Sequence, residues 1–402
     1  MRRFPGSFIS ANTPAPAYGV NTAAPGIWNR QQQRSYKLNG SWPQAQVQSF
    51  LWGWGLNNAG QLGINNAISY SSPKQVGAGS NWMKVAKSLN GYSTFAVKSD
   101  GTLWSWGSGS YGVLGLGNSS SYTSPKQVGS RTDWKDVFGI GGGGFYAQTR
   151  GGVVYRTGNM LYGGPSNTNI VNGARSNLIS GSWTSLSSSS SHAVGTRSDG
   201  SLWSWGSGTA GKLGLGNLNS YSYPKMISSS PWLTSAVGAS HSVAIKNDGT
   251  IWTWGYNSNG QLGLGNTTSY SSPKQVGLLA TWINVAASGS STFAIKSDGT
   301  LWTWGNNSQG QLGLGNTTNY SSPKQVGLLT NWIKVSAGSL GTSTCVIALK
   351  SDGTLWSWGY NNSGQLGLGN TTNYSSPKQI GLATNWLDVF STSRTVHAIR
   401  GI

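Results

Sequence analysis

Residues 282–296, WINVAASGSSTFAIK, alternate apolar with small or polar side chains, break at a Gly-Ser pair, and alternate again. A period of two belongs to strands that bury one face. It predicts a strand over 282–288 and a second over 291–296. Asp298-Gly299 then reads as a two-residue hairpin turn, the strongest short-range hairpin signal. TLWTWG follows as a third strand, GQLGLGN as a glycine-dependent loop, and SPKQVG at 322–327 as a fourth strand.

The pattern recurs along the chain. SDGTLWSWGSGSYGVLGLGN (99–118), SDGSLWSWGSGTAGKLGLGN (198–217), NDGTIWTWGYNSNGQLGLGN (247–266), SDGTLWTWGNNSQGQLGLGN (297–316) and SDGTLWSWGYNNSGQLGLGN (351–370) are copies of one unit. The first tryptophan of each Trp-x-Trp pair falls at 52, 104, 203, 252, 302 and 356, and a divergent copy places Tyr155 in the gap. Successive spacings of 52, 51, 48, 49, 50 and 54 residues define seven units. Seven four-stranded units of this size predict an all-β fold, a seven-bladed β-propeller over residues 50–402. The array opens on a third strand, SFLWGWG (49–55), and finishes on a second strand, HAIRGI (397–402). Its ends should therefore pair in a composite closing blade, with strands from about 386–400 beside strands from about 50–76.

Repeated side chains invite a structural and a functional reading. In Trp-x-Trp both rings lie on one strand face and fill the space between blades, each burying roughly 150–250 Å² when packed; an aromatic ligand cage is the alternative. Lys74, Lys126, Lys225, Lys274, Lys324 and Lys378 each follow a proline in the outermost strand. Proline and lysine protect a sheet edge, and six such lysines would equally make a basic rim for an anionic partner.

The 402 residues include 60 glycines and only 9% charged residues, which suits short strands and tight turns and disfavours helix. Glutamate is absent, and 27 basic residues against 8 acidic ones give a net charge of +19. That balance predicts attraction to polyanions or acidic protein surfaces. The single cysteine, Cys345, excludes an internal disulfide, and its setting in CVIAL points to a buried thiol. No window approaches the ~18 apolar residues of a membrane span, and MRRFPGSFIS lacks the apolar core of a signal peptide.

Catalysis needs converging acids and bases or a metal shell. Asp100, Asp199, Asp248, Asp298 and Asp352 are turn residues spread around a ring, and His192, His241 and His397 recur at blade positions. No Cys/His cluster has metal spacing and no phosphate-binding loop appears. The expectation is a non-enzyme with no catalytic residues, no cofactor, no metal and no small-molecule substrate.

The unit DGTLWSWGxNxxGQLGLGN resembles the regulator-of-chromosome-condensation propeller repeat, an aspartyl-glycine turn followed by aromatic-x-aromatic-Gly and Asn-x-x-Gly-Gln-Leu-Gly. His192 in SSSHAV and His241 in GASHSVAI match the histidine of that family's preceding strand. The resemblance covers about residues 50–402 and implies the propeller fold. Members that act as exchange factors for small GTPases use a protruding insertion, for which no spacing here leaves room. A GTPase-binding or nucleic-acid-binding regulator remains an alternative reading.

Symmetry breaks over 139–183, which lack the tryptophan pair, the GQLG loop and the SPK strand. Arg131, Arg150, Arg156, Arg175 and Arg197 collect nearby, while 198–393 hold no arginine. Arginine's planar fork favours interfaces. Arg150, Arg156 and Arg175 are therefore expected to meet a partner or the N-terminal arm, with sequence drift in a tolerant blade as the alternative.

Residues 1–49 form a different kind of chain, with five of the 13 prolines, five basic residues and no acid. They should run as an extended basic arm. Asn29 and Gln32 have capping-box spacing and Gly40 suits a helix stop, which suggests one short helix at about 30–38. The segment Gly26-Ile27-Trp28, Gln33, then Gly40, Trp42 and Pro43 resembles a short stretch of tailed-bacteriophage virion proteins. Trp28, Arg30, Arg34, Tyr36 and Trp42 become candidate partner-binding residues.

The leading expectation is a structural protein of a phage virion, assembled in the host cytoplasm. The arm would dock to other virion proteins and the propeller would be displayed as a rigid platform, in the tail or adsorption apparatus first and as head decoration second. A lectin-like binder of host-surface polysaccharide, using GQLGLGN loops and Tyr111, Tyr256 or Tyr360, is the second class. A nucleic-acid binder is the third, supported by charge.

Overall fold

A computed structural model describes residues 48–88, 91–141, 143–158, 181–340, 343–392 and 394–401. The expected arm and helix, with Trp28, Arg30, Arg34, Tyr36 and Trp42, lie outside these residues, as does Arg175. The chain divides into two units, Met1–Gln48 and Ser49–Ile402.

Alternating burial makes the strands of the second unit. Trp282–Ser288, Ser291–Lys296, Leu301–Gly305 and Tyr320–Gln325 pair antiparallel in chain order as one blade. The outermost strand starts two residues before the expected SPK because Tyr320 pairs with Gly305. Six sheets of four strands and one of three are present among the described residues. Numbered from the N-terminal side, blades 1 to 6 begin at Trp82, Trp134, Trp183, Trp232, Trp282 and Trp332. Blade 7 is the expected composite. Its order is Tyr70–Ser80, Ser49–Gly55, Thr395–Gly401, Trp386–Ser391, with Ser49 opposite Gly401 and Gly55 opposite Thr395. The ring is thus an all-β seven-bladed propeller closed by strands from both ends of the array.

Blade 2 is the divergent copy. Its described strands are Trp134–Gly139, Phe145–Thr149 and Val154–Arg156. Tyr155 takes the place of the first tryptophan and packs edge-on against Trp134, with centroids 5.2 Å apart.

One expectation is corrected. The Asp-Gly turns are not two-residue hairpins of the kind that need left-handed backbone at both central positions. Gly299 has φ +77° while Asp298 does not have positive φ, and the Gly299 N–H donates to the Lys296 carbonyl at 2.9 Å. Ser-Asp-Gly is a three-residue loop with the left-handed glycine at its end. The aspartate is freed to cap the strand that follows: Asp298 Oδ1 accepts from Thr300 N–H at 2.9 Å and from Thr300 Oγ1 at 2.7 Å. Thr300 Oγ1 in turn accepts from Trp302 Nε1 at 2.8 Å.

The second tryptophan of each pair is interior filler. Trp54, Trp106, Trp205, Trp254, Trp304 and Trp358 are fully buried. Trp304 also meets Trp282 edge-on at 6.1 Å. This supports the packing reading over a ligand cage at these positions. The histidines are core groups too: His192 Nε2 meets Ser242 Oγ at 2.9 Å and His241 Nε2 meets Thr292 Oγ1 at 2.9 Å, each joining neighbouring blades. Cys345 is buried, as expected.

Candidate binding surfaces

The residue just before each Ser-Asp-Gly loop is a cation, and it lies between two indoles. Lys296 Nζ sits 5.0 Å from the Trp282 ring centroid and 3.9 Å from that of Trp302. Lys98, Lys246 and Lys350 repeat the arrangement, and Arg197 and Arg400 take the place in blades 3 and 7. Blade 2 has Thr149 there. Arg131 reaches in from the preceding linker instead, 5.7 Å from Trp134 and 5.3 Å from Tyr155, held by Asp133 at 2.8 Å. Burial lowers the pKa of Lys98, Lys296 and Lys350. These cations belong to the architecture, so they are withdrawn from the surface charge available to a partner.

All seven innermost strands line a central cavity of about 560 Å³, rich in Ser188, Ser189, Ser288 and Ser391. The third residue of each innermost strand forms a ring of Lys84, Asp136, Ser185, Thr234, Asn284, Lys334 and Asp388. Charges pair between neighbours: Lys84 lies 4.0 Å from Asp136, and Lys334 bonds to Asp388. Burial pushes the Asp136 carboxyl up, and Lys84 pulls it back down.

Solvent-facing apolar residues gather on the segments that lead into these innermost strands, the end of strand Tyr270–Ala280 and the linkers that hold Leu328 and Leu382. Leu278, Leu328 and Leu382 are 95%, 92% and 93% exposed. Leu233, Ile283, Ile333 and Leu387 add exposed side chains just inside the following strands. The linkers share their face with the Ser-Asp-Gly loops, since Ser351 N–H donates to the Asn331 carbonyl at 2.8 Å. Blades 4 to 7 contribute these residues, and blades 2 and 3 present Lys135 and Thr184 at the equivalent strand positions.

The six lysines that follow a proline are exposed on the outermost strands, each lying 5.3–5.6 Å from the ring of the tyrosine four residues earlier. Their positions suit both edge protection and a basic rim. Arg150 is exposed, with its guanidinium 3.5 Å from the Ser99 carbonyl. Arg156 lies opposite Tyr146 and is only 7% exposed. Among the described residues no group of three or more His, Cys, Asp or Glu is placed to hold a metal ion.

A seven-bladed ring built on fifty-residue units, with polar staples between blades and an open linker face, defines a propeller scaffold. Residues 50–88, 100–145, 199–245, 248–295, 298–344 and 352–397 match the regulator of chromosome condensation (RCC1) repeat, and the chain belongs to that repeat family. The ultraviolet-B receptor UVR8 of Arabidopsis thaliana is 29% identical over 179 residues, 43% of this chain and 40% of UVR8. The E3 ubiquitin-protein ligase HERC2 of Homo sapiens is 27% identical over 189 residues, 44% of this chain and 4% of HERC2. The chain thus spans less than half the length of these relatives. Among solved structures, Prp20p of Saccharomyces cerevisiae, studied for its binding to Gsp1p and histones, superposes with a TM-score of 0.76 at 18% identity, covering 92% of this chain and 94% of Prp20p. Human WBSCR16 superposes with a TM-score of 0.73 at 20% identity, covering 88% and 98%. At these identities the likeness is one of fold.

Proposed function

We propose that this protein is a non-enzymatic platform that binds other proteins through the linker face of its propeller. The observation that carries the reading is the set of nearly fully exposed leucines, Leu278, Leu328 and Leu382, on the consecutive segments that lead into blades 5, 6 and 7. Such side chains gather at interaction sites far more readily than on idle surface. Replacing all three by serine should leave the thermal midpoint within a few degrees and abolish capture of the native partner. Unchanged capture by the triple variant would refute this reading.

The finer proposal concerns the setting. The basic arm of residues 1–49, with Trp28, Arg30, Arg34, Tyr36 and Trp42, anchors the protein in a phage virion, in the tail or adsorption apparatus first and on the head second. Support comes from the segment at 26–43 and from the near-identity of repeats such as 263–279 and 313–329. The relatives named above are cellular proteins, so the virion reading stands on the sequence of the arm. Deleting 1–48, which keeps Ser49 opposite Gly401, should leave a folded propeller that no longer enters particles, as read by electron microscopy of purified virions. Full incorporation of the truncated chain would overturn it.

A further inference from the structure

A second cavity, of about 400 Å³, opens between blades 4 and 5. Leu264, Val276, Leu279, Trp282, Lys296 and Trp302 line it. Two of these bring polar atoms without hydrogen-bond partners among the described residues. Trp282 is 3% exposed, and its Nε1 has none. Lys296 is 8% exposed, and no carboxylate among the described residues forms an ion pair with it.

Blade 1 shows what closes the same place. The chain enters it from the end of strand Tyr70–Ser80, which reads Val76-Gly77-Ala78-Gly79, where the chain entering blade 5 has Val276-Gly277-Leu278-Leu279 at the end of strand Tyr270–Ala280. The Gly79 carbonyl accepts from Trp82 Nε1 at 3.0 Å. A Cβ at Gly79 would lie 3.3 Å from Lys98 Nζ, so this segment rests directly on the cation and indole. Leu279 stands at the equivalent position, and the Trp282 donor is unmet beside the cavity, as are the donors of Trp134, Trp232, Trp332 and Trp386 at the same place in other blades. A buried donor left unmet is costly, so a ligand that satisfies it has a ready source of affinity.

The chemistry selects the occupant. An indole N–H and an ammonium are two donors, and a carboxylate supplies two acceptor oxygens. Apolar walls and a single cation suit one acidic side chain and do not suit a polyphosphate, whose binding needs a run of cations. Sugar recognition would need an open aromatic face, and the indole faces here already carry the ammonium. The net charge of +19 favours approach of an acidic partner. We propose that the cleft between blades 4 and 5 receives an aspartate or glutamate from an apolar segment of a partner protein, with its carboxylate on Trp282 Nε1 and Lys296 Nζ and a flanking apolar residue on Leu278 and Leu279. This deepens the platform reading and rests on it.

The test uses the full chain labelled with nitrogen-15 and two capped peptides, Gly-Leu-Asp-Leu-Gly and Gly-Leu-Asn-Leu-Gly. Titration with the aspartate peptide to about 10 mM, the weak end of specific binding, should shift the Trp282 indole resonance saturably, and the asparagine peptide should leave it in place. Leu279→Gly, which recreates the closed segment of blade 1, should abolish the shift. Lys296→Gln should weaken it by about tenfold or more, as expected for loss of a charged hydrogen-bond donor. Equal response to both peptides, no response to either, or full response in Leu279→Gly overturns the assignment. Native-partner capture by the parent chain is the separating measurement. If no peptide response is seen while capture persists in the parent chain, the cleft assignment falls and the platform reading stands.

Discussion

Trp54 Nε1 donates to the Gln365 carbonyl at 3.0 Å, across 311 residues of sequence. Trp54 belongs to the composite blade and Gln365 to the GQLG loop of blade 6, so this bond helps lock the ring. The same contact repeats between neighbours: Trp106 to Gln61, Trp254 to Lys212, Trp304 to Gln261 and Trp358 to Gln311, all at 2.9–3.0 Å. Each tryptophan is therefore filler for its own blade and a staple to the previous one. Trp54→Phe keeps most of the apolar volume and removes the indole donor to that buried carbonyl. The expected cost is about 0.5–1.5 kcal/mol for the lost hydrogen bond, read as a lower urea midpoint, with Trp304→Phe, whose Gln261 carbonyl keeps the Thr292 hydroxyl at 2.8 Å, as the internal comparison. An unchanged midpoint for both would show that the staples contribute nothing.

The staples dictate a glycine. A Cβ at Gly263 would sit 2.7 Å from Trp304 Nε1, and its φ is +71°. Gly277 has a similar φ of +63° and nothing within 4 Å of the added carbon. Gly277→Ala should cost only the backbone strain, about 1 kcal/mol. Gly263→Ala adds a steric clash with an indole that cannot retreat, for a total of about 3 kcal/mol or more. Comparable unfolding midpoints for the two variants would contradict the close approach.

Blades and closure were legible because their signals are local. Alternation around Trp282–Lys296 and a fifty-residue spacing sufficed, and the mismatched ends at Ser49–Gly55 and Thr395–Gly401 had only each other to pair with. The turn type was not legible, because Asp-Gly fits two loop geometries and only the sign of φ at Asp298 separates them. The cation between indoles was also missed. Lys98 and Lys296 look like solvated charges at a strand end, although a basic residue before every intact Ser-Asp-Gly was a visible signal. The pairs Lys84–Asp136 and Lys334–Asp388 join different blades, so they depend on how the ring brings neighbours together.

Arg131 offers a swap experiment. It supplies to blade 2 the cation that other blades carry at the end of the second strand, where blade 2 has Thr149. Arg131→Met should destabilise the protein by about 0.5–2 kcal/mol, the range of a partly desolvated cation–π contact. Adding Thr149→Lys to that variant should recover part of the loss by restoring the regular geometry. Thr149→Lys in the parent chain should be destabilising, since Arg131 already occupies the place. Thermal unfolding of the four proteins gives the coupling directly, and strict additivity would show that the two positions do not share one cation site.

Acid should weaken the ring through its buried histidines. Burial lowers the pKa of His241 from 6.5 to about 3, and lowers that of His192 in the same direction, with Lys212 adding to it. A histidine whose folded pKa is depressed binds its proton more readily in the unfolded chain. Its contribution is therefore complete above the unfolded value near 6.5 and is lost as pH falls toward the folded value near 3. The turn carboxylates Asp199, Asp248, Asp298 and Asp352 are lowered mainly by hydrogen bonds from the following Ser or Thr. Their stabilisation is lost only lower down, through the ordinary carboxylate range. Between about pH 7 and pH 4.5 the histidines dominate. His241 alone should account for about 2–3 kcal/mol there, because a proton bound only by the unfolded chain costs the fold roughly 1.4 kcal/mol for each pH unit crossed below 6.5. His241→Gln, which keeps an amide facing Thr292, should be less stable at neutral pH and should flatten this part of the profile. Urea titrations of both proteins at the two pH values measure the difference, and a parent chain equally stable at both would show that these histidines take up no proton on unfolding.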